Sequence, residues 1–127
     1  GVSIDSQFTH LAWKNTPVEK GGIGQVGYTM VADIKHEICK AYDVEAGGGV
    51  AFRATFLIDK NGVVQHQYVN NLPLGRNVDE TLRLVDALQF TEEHGEVCPA
   101  GWSKGKAGMK ASTEGVASYL ANHAKEL

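Results

Sequence analysis

The chain has 127 residues, of which 43% are hydrophobic and 21% charged, and its formal net charge is −3 at pH 7. This length suits one domain with a hydrophobic core, and the weak negative charge argues against nucleic acid as a partner. No apolar run is long enough to span a bilayer, so we also expect no membrane partner.

The cysteine count and the first residues indicate a compartment. Two cysteines are too few for the disulfide framework of a small secreted protein. Residues 1–6 have neither the basic region nor the apolar core of a signal peptide. We therefore expect a reducing, cytoplasmic setting in which any disulfide is transient. The chain opens without a methionine, directly in a predicted strand, so we expect it to be a piece of a longer protein.

The first third of the chain predicts one short strand and one helix. Residues 1–4 are apolar and β-branched and predict a buried strand that ends at a cap at Asp5-Ser6. Apolar residues at helical spacing predict a helix over residues 7–15, which Thr16-Pro17 ends.

A cluster of glycines follows at Gly21, Gly22 and Gly24. Glycine clusters can cradle phosphate, but here no strand precedes the cluster and no Lys-Ser or Lys-Thr pair follows it. We interpret it as a flexible loop or a site of local unfolding.

A second strand and a second helix are predicted next. Residues 28–31 predict a short strand, and Asp33 caps a helix from Ile34 to Ala41. Cys39 lies in this helix beside the apolar face, which favours a buried, structural thiol. Residues 47–49 are all glycine and predict a hinge-like loop.

The middle of the chain predicts a β-hairpin. Residues 52–58 and 63–69 read as strands, and the Asn61-Gly62 pair between them is a hairpin signal. The apolar run over residues 54–58 is typical of a central strand covered on both faces. Arg53 stands at the start of the first strand, and Arg76 lies in the turn after the second.

A long helix and a tail complete the chain. Asn77 caps a helix through about Glu92. Residues 104–108 predict a flexible polar linker. Ser112 or Thr113 then starts a last helix, from Glu114 to Lys125. The long helix is expected to turn an apolar stripe inward, made of Val78, Leu82, Val85, Leu88 and Gln89, and the last helix has a small apolar face of Val116, Tyr119 and Leu120.

Cys98 carries the most distinctive chemistry. Because Pro99 disfavours a helical conformation at the preceding residue, Cys98 is predicted to lie on an extended loop, where a thiol can take part in disulfide exchange. A small buried hydrophobe is the alternative that the residue alone leaves open. A metal site with His94 lacks ligands, and the other histidines show no ligand spacing, so we expect no metal and no cofactor.

The element order, strand, helix, strand, helix, hairpin and helix, predicts an α/β fold. At this level the sequence resembles the typical 2-Cys peroxiredoxins, the alkyl hydroperoxide reductase C and thioredoxin peroxidase group, from residue 1 to about Trp102. The motifs that carry the resemblance lie at residues 2–6, 10–13, 21–24, 52–59, 71–76, 79–83 and 95–102, the last being Gly-Glu-Val-Cys-Pro-Ala-Gly-Trp.

The resemblance implies an incomplete thioredoxin-like fold, without its N-terminal strands and peroxidatic helix, and with a C-terminal extension. Residues 1–93 match the family core, and residues 94–127 match the resolving-cysteine loop and tail helix. It implies a thiol peroxidase, an antioxidant enzyme that reduces hydrogen peroxide and organic hydroperoxides. Cys98 corresponds to the resolving cysteine, which forms an intersubunit disulfide, and Arg53 and Arg76 correspond to arginines of the peroxidatic site.

Partners also follow from the resemblance. Members use thioredoxin or a dedicated disulfide reductase and assemble as homodimers into a ring, with a decamer the expected size. In oxidation-sensitive members the Gly-Gly-Ile-Gly loop and a C-terminal Tyr-Phe pair slow the local unfolding that disulfide formation requires. This chain has Gly21, Gly22 and Gly24 with Tyr119 and Leu120 at those positions.

One departure from the family is large. No Pro-x-x-x-Thr-x-x-Cys motif of the peroxidatic cysteine occurs in the 127 residues, and Cys39 lacks its Pro and Thr. We therefore expect no peroxidase turnover from this chain alone. The alternative function is a non-catalytic oligomeric assembly or chaperone-like binding module, in which the strand over residues 63–69 pairs at a sheet edge with its equivalent in a partner.

Overall fold

A computed structural model describes residues 1–126 and divides them into two compact units. Unit 1 contains residues 1–55 and 68–75, and unit 2 contains residues 56–67 and the chain from residue 76 onward. Leu127, the last residue of the predicted C-terminal segment 94–127, lies outside the described residues. Within these, no helix is long and apolar enough to cross a membrane. The elements are β1 (Val2–Ser3), α1 (Gln7–Asn15), a 3-10 turn (Val18–Lys20), β2 (Val31–Ala32), α2 (Glu37–Ala41), β3 (Arg53–Ile58), β4 (Val64–Asn70), α3 (Val78–His94), α4 (Thr113–His123) and a second 3-10 turn (Ala124–Glu126).

In unit 1, β1 and β2 form a parallel pair, with Val2 opposite Val31 and Ser3 opposite Ala32. Both strands are shorter than predicted, and the expectation that the first is buried is wrong, because Val2 is 50% exposed. Within the described residues β2 is the only strand that pairs with β1, so the other edge of β1 is open.

Helix α1 has the predicted bounds. The Ser6 hydroxyl accepts a hydrogen bond from the Thr9 amide at 3.1 Å and caps the helix. Its buried residue, however, is His10, whereas Phe8 and Leu11 are exposed.

The buried His10 side chain belongs to a small polar group with Ser3 and Asp5. The Ser3 hydroxyl donates to the Asp5 carboxylate at 3.1 Å and lies 2.6 Å from His10 Nε2.

The glycine loop after α1 is fastened to the end of that helix rather than free. The last four carbonyls of a helix lack internal partners. Here the Trp13 carbonyl accepts from the Ile23 amide at 3.0 Å, and the Lys14 carbonyl accepts from the Gln25 side chain at 2.9 Å. A side chain at Gly22 would overlap the Thr16 carbonyl, so this position requires glycine.

Helix α2 is shorter than predicted and begins at Glu37 instead of Ile34. His36 has a positive φ of 60°, which breaks the helical path before it. Asp33 still acts as the cap, since its carboxylate accepts from the Ile38 and Cys39 amides at 3.0 and 2.8 Å. Cys39 is buried, as expected of a structural thiol.

The predicted hinge at residues 47–49 is a closed turn. Glu45 and Ala51 form a bridge across it, and the Ala46 amide donates to the Val50 carbonyl at 2.7 Å. His36 Nδ1 also pairs with the Glu45 carboxylate. Gly48 and Gly49 supply the positive φ angles that the turn needs.

Strands β3 and β4 pair through the predicted turn, and so short a connection permits only antiparallel pairing. The Asp59 carboxylate organises the turn by accepting from the Asn61 and Val63 amides at 2.8 and 3.0 Å. These bonds hold the pKa of Asp59 below its ordinary value, the bond from Val63 first. The expectation that β3 is covered on both faces is wrong, because its residues are half-buried or exposed.

In unit 2, α3 starts at the predicted cap, where the Asn77 side chain accepts from the Glu80 amide at 3.2 Å, and it ends at Gly95 with a φ of 67°. The predicted inward stripe is only partly right. Val85 and Leu88 are half-buried, but Val78 and Leu82 are 68% and 58% exposed, and Gln89 is exposed. Helix α4 begins after its cap Ser112, whose hydroxyl accepts from the Gly115 amide at 3.0 Å.

Candidate redox site

The segment from Val97 to Met109, the Cys98 turn, is a closed structure. Val97 and Met109 pair through two backbone hydrogen bonds of 2.8 and 2.9 Å. Inside the turn, the Trp102 amide donates to the Pro99 carbonyl at 3.1 Å and the Lys106 amide to the Ser103 carbonyl at 3.0 Å. The polar stretch over residues 104–108 therefore forms the return arm of this turn, in place of the predicted flexible linker.

Trp102 fills the centre of the Cys98 turn. It is only 2% exposed, the lowest value among the large side chains of residues 1–126. Its ring centroid lies 4.9 Å from that of Phe90 on α3, and its indole N–H donates to the Lys106 carbonyl at 3.1 Å. Gly108 passes so close that an added side chain would meet the Phe90 ring at 2.6 Å. The turn is thus folded around one aromatic side chain.

Arg83 joins the Cys98 turn to α3. Its Nη1 donates to the Trp102 carbonyl at 2.8 Å, while Nε and Nη2 donate to the two carboxylate oxygens of Glu80 at 2.6 and 2.7 Å. The bonds to Glu80 raise the pKa of Arg83 above its ordinary value, and the bonds from Arg83 lower the pKa of Glu80. The guanidinium is therefore a fixed positive charge, held on both sides.

The Cys98 thiol is half-buried and free of any disulfide. Its Sγ donates weakly to the Ala87 carbonyl on α3, at 3.8 Å. Burial raises the pKa of the Cys98 thiol, and the positive charge of Arg83 offsets this only in part. In this docked position the thiol is protonated at neutral pH and is a poor nucleophile.

One face of α3 makes all of these contacts. Arg83, Asp86, Ala87 and Phe90 follow one another at helical spacing, so they lie on the same side of the helix. Asp86 contributes an ion pair with Lys104 at 3.2 Å. The seam of α3 that matters for Cys98 is thus a mixed polar and aromatic one, and it differs from the apolar stripe that the sequence predicts.

The other predicted site residues are distributed over both units. Arg53 is exposed in unit 1, with its Nε donating to the Leu72 carbonyl at 3.3 Å, and Arg76 is exposed in the loop before α3. Tyr119 is half-buried and stacks on His123 at 4.8 Å, whereas Leu120 is 41% exposed. Among residues 1–126, no three His, Cys, Asp or Glu side chains come together as they do in a metal site.

Arg83 and Glu80 are the site residues that sequence reasoning missed. Their spacing of three residues on a helix is a recognisable ion-pair signal. The contact that gives Arg83 its importance is a backbone carbonyl 19 residues further along the chain. No side-chain pattern marks a carbonyl acceptor, so that contact could not be predicted from the sequence.

Cys39 differs from Cys98 in its surroundings. It is 3% exposed, and burial followed by the neighbouring Asp33 carboxylate raises the pKa of its thiol. No positive group compensates, so Cys39 is the less reactive thiol.

Comparison with known proteins places these features in a family. The sequence model of the AhpC/TSA family matches residues 1–67, and that of the C-terminal domain of 1-Cys peroxiredoxin matches residues 87–122. The chain is 62% identical over 127 residues to alkyl hydroperoxide reductase C of Helicobacter pylori, which covers the whole chain and 64% of that relative's length.

Solved structures agree with the sequence comparison. A reduced 2-Cys peroxiredoxin of Plasmodium vivax superposes with a TM-score of 0.92 at 56% identity, covering 96% of this chain and 63% of that one. Thioredoxin peroxidase I of Plasmodium yoelii gives a TM-score of 0.68 at 60% identity, covering 83% of this chain and 60% of that one.

These likenesses confirm the predicted α/β, thioredoxin-like fold, present here in part. The chain spans a little less than two thirds of the length of the relatives it matches. The chain belongs to the AhpC/TSA family, among the 2-Cys peroxiredoxins and alkyl hydroperoxide reductase C proteins.

Proposed function

We propose that this chain supplies the resolving half of a thiol peroxidase, with Cys98 as the resolving cysteine. The observation that carries the proposal is the Cys98 turn, which presents a free, half-buried thiol on a closed loop docked against one helix. A resolving thiol must be stored safely and then brought to a partner sulfur, and a loop held by a few contacts can do both.

The proposed reaction has two steps before reduction. A peroxidatic thiolate of a partner subunit attacks the peroxide ROOH, the O–O bond breaks, and the products are a sulfenic acid and, after proton uptake, ROH. The Cys98 sulfur then attacks the sulfenic sulfur. An S–S bond forms, the S–O bond breaks, and the Cys98 proton leaves with the hydroxide as water. A dithiol reductant of the thioredoxin type is oxidised to its disulfide and returns both thiols.

The docked geometry supports a step in which the turn opens. The thiol is half-buried and its pKa is raised, so the docked state protects Cys98 from oxidation. Release from α3 returns the sulfur to water and removes the cause of the raised pKa. Opening thus exposes Cys98 and makes it a better nucleophile at the same time.

Arg53 and Arg76 have a separate place in the proposal. A guanidinium beside a peroxidatic thiol lowers the pKa of that thiol and stabilises the negative charge that develops on the leaving oxygen. Arginine suits this role because it stays charged and has a rigid fork of donors. Both side chains are exposed, as groups that meet another segment need to be.

Substrates and partners follow from the relatives and remain part of the proposal. The relatives' names point to alkyl hydroperoxides as substrates and to a thioredoxin-type reductant. We also propose a homodimer that assembles into a ring, in a reducing, cytoplasmic setting. Without the Pro-x-x-x-Thr-x-x-Cys motif the 127 residues alone are expected to consume no peroxide.

The test compares two cysteine variants of the natural protein in peroxide consumption driven by thioredoxin and its reductase. Cys98→Ser is expected to abolish this turnover and the disulfide-linked dimer on a non-reducing gel. Formation of the first sulfenic acid, measured by dimedone labelling, is expected to persist.

Cys39→Ser is the matched control, because Cys39 is the other free cysteine and is buried in unit 1, whereas the Cys98 turn belongs to unit 2. It is expected to leave turnover and the linked dimer unchanged. Full thioredoxin-dependent turnover in Cys98→Ser contradicts the proposal, and so does loss of turnover confined to Cys39→Ser.

A further inference from the structure

We propose that Arg83 is the positioning residue of Cys98, holding the Cys98 turn on α3 through the Trp102 carbonyl until the turn opens. This inference rests on the proposed resolving role of Cys98 for its biological meaning, but its structural content is independent of that role. Arg83 donates its hydrogen bonds to Glu80 and to the Trp102 carbonyl, so it acts on Cys98 through the turn.

The hydrogen bond from Arg83 to the Trp102 carbonyl joins α3 to the Cys98 turn. Arg83 is the one side chain of α3 that donates a hydrogen bond into the backbone of the Cys98 turn, among the bonds found in residues 1–126. The 2.8 Å bond is charge-assisted, and such bonds are about twice as strong as neutral ones. Two further bonds to Glu80 fix the guanidinium plane, so the donor is already oriented when the turn docks.

The Trp102 carbonyl oxygen is well placed for Arg83 to restrain the turn. The Trp102 carbonyl lies four residues after Cys98, in the same closed turn, and the Trp102 ring is its centre. A hold at this carbonyl restrains the whole turn. The other polar contacts with α3 are weaker: the 3.8 Å bond of Cys98 and the exposed ion pair of Asp86 with Lys104. The ring contact of Trp102 with Phe90 adds apolar packing, which has no directional hold on the backbone of the turn.

The positive charge of Arg83 favours the thiolate of Cys98, although burial has the larger effect and raises the pKa of the thiol. The other charged or titratable side chains around the turn are Glu80, Asp86 and His94 on α3, Glu96 just before the turn, and Lys104 and Lys106 on the turn itself. Glu80 is paired with Arg83 and Asp86 with Lys104. Arg83 therefore has two effects on Cys98, which are to keep the turn docked and to favour ionisation.

The experiment separates these two effects in the 127-residue chain. The alkylation rate of Cys98 by iodoacetamide is measured by peptide mass spectrometry over a range of pH. The midpoint of the profile gives the apparent pKa, and the limiting rate at high pH reports how often the turn is open. Lys106→Gln is the matched control, because it removes one exposed positive charge from the same turn.

Arg83→Gln is expected to raise the limiting rate roughly three- to tenfold, since a charge-assisted hydrogen bond is lost. The turn stays docked most of the time in this variant, so the apparent pKa of Cys98 is expected to move upward, because burial is then no longer offset by the positive charge of Arg83. Arg83→Lys keeps the charge but loses the fork, so the limiting rate should rise while the pKa stays close to that of the unaltered chain.

Profiles of both Arg83 variants that match Lys106→Gln overturn the inference. It is also overturned if Cys39 alkylation rises in step with Cys98 in both variants, because Arg83 would then support the fold in general rather than the Cys98 turn. If the alkylation results hold but Cys98→Ser keeps thioredoxin-dependent turnover, the proposed function fails and the positioning role of Arg83 stands.

Discussion

At the scale of the residue, Trp102 decides whether the Cys98 turn exists. Its side chain is 2% exposed and packs on the Phe90 ring of α3. We predict that Trp102→Ala lowers the free energy of unfolding by about 3 kcal/mol or more, measured in urea, because it removes a large buried ring.

Trp102→Phe is the milder variant of this test. It keeps a ring but loses the indole bond to the Lys106 carbonyl, and about 1 kcal/mol is expected. Val78→Ala serves as the control, since Val78 is 68% exposed, and a change below about 0.5 kcal/mol is expected. An equal loss in Val78→Ala and Trp102→Ala contradicts the central position of Trp102.

Asp33 makes a prediction about pH. Burial alone would raise its pKa, but the hydrogen bonds from the Cys39 and Ile38 amides outweigh it and hold the pKa of Asp33 below its ordinary value of 3.8. A lowered pKa in the folded state means that the ionised carboxylate stabilises the fold above pH 3.8 and that this stabilisation disappears as the pH falls through the folded value.

Asp33→Asn is therefore expected to be less stable than the unaltered chain at neutral pH, with the difference shrinking in strong acid. Urea unfolding at neutral and acidic pH measures this. Asp43→Asn is the control, because Asn is well suited to the positive φ of 53° at that position. A difference that stays constant as the pH falls would show that the charge of Asp33 is not what stabilises α2.

The residue scale also shows where sequence reasoning works. Pro99 correctly predicts that Cys98 lies outside a helix, since this is a local steric rule. The roles of Cys98, Arg53 and Arg76 come from the family resemblance, and they remain proposals. The contact of Arg83 could not be predicted from local rules, because its partner is fixed only when the turn folds back on α3.

At the scale of the element, the glycine loop is held by the end of α1. Gly22 packs against the Thr16 carbonyl with no room for a side chain. We predict that Gly22→Ala lowers the free energy of unfolding by about 1–3 kcal/mol, as overpacking does, measured by urea unfolding.

Gly27→Ala is the matched control for this prediction. An added methyl group there meets nothing within 4 Å, and Gly27 has no positive φ. We expect no loss of stability in this variant. If Gly22→Ala is as stable as Gly27→Ala, the loop is free to move and the close packing described here is wrong.

The N-terminus of α3 supplies a second prediction for an element. The Asn77 side chain accepts from the Glu80 amide at 3.2 Å and satisfies one of the free donors of the helix start. Asn77→Ala is expected to lower the free energy of unfolding by about 1 kcal/mol. Asn77→Asp, whose side chain also caps well, is expected to leave the free energy of unfolding unchanged. Circular dichroism during thermal unfolding distinguishes the two outcomes, and equal losses in both variants exclude a capping role.

Elements with local signals were predicted well. The bounds of α1, the hairpin strands and α3 agree with the sequence to within about two residues, because Ser6, Asn77 and the Asn61-Gly62 pair act on their own neighbours. The start of α2 was missed, since the positive φ of His36 is tied to its distant partner Glu45. The inward stripe of α3 was partly wrong, because burial depends on which segments return to the helix.

At the scale of the whole molecule, the fold class was predictable but the burial was not. The alternation of strands and helices indicates an α/β fold, and solved relatives confirm it. Phe8, Leu11 and Val2 are exposed in the structure, whereas the sequence pattern predicts that such apolar residues face a core. The sequence pattern of an element indicates which of its faces is apolar. Which segments pack on that face depends on the rest of the fold.

The glycine loop and the tail helix are proposed to control how easily the peroxidatic sulfenic acid is over-oxidised. If the Gly21–Gly24 loop and the helix carrying Tyr119 and Leu120 slow the opening of the site, sulfenic acid lasts longer and is oxidised further. Deleting the tail from Ala111 in the natural protein, which leaves the Cys98 turn intact, is expected to reduce sulfinic acid after a peroxide pulse, as measured by mass spectrometry. The full-length protein is the reference, and equal sulfinic acid in both excludes this regulation.

The most direct test of the resolving role is to identify the partner of Cys98 after oxidation. The natural protein is treated with one equivalent of peroxide, its free thiols are blocked, and its disulfide-linked peptides are sequenced by mass spectrometry under non-reducing conditions. The account predicts that the peptide containing Cys98 is linked to a cysteine in a Pro-x-x-x-Thr-x-x-Cys motif of another subunit. A Cys98 that remains a free thiol, or that is linked to Cys39, contradicts it.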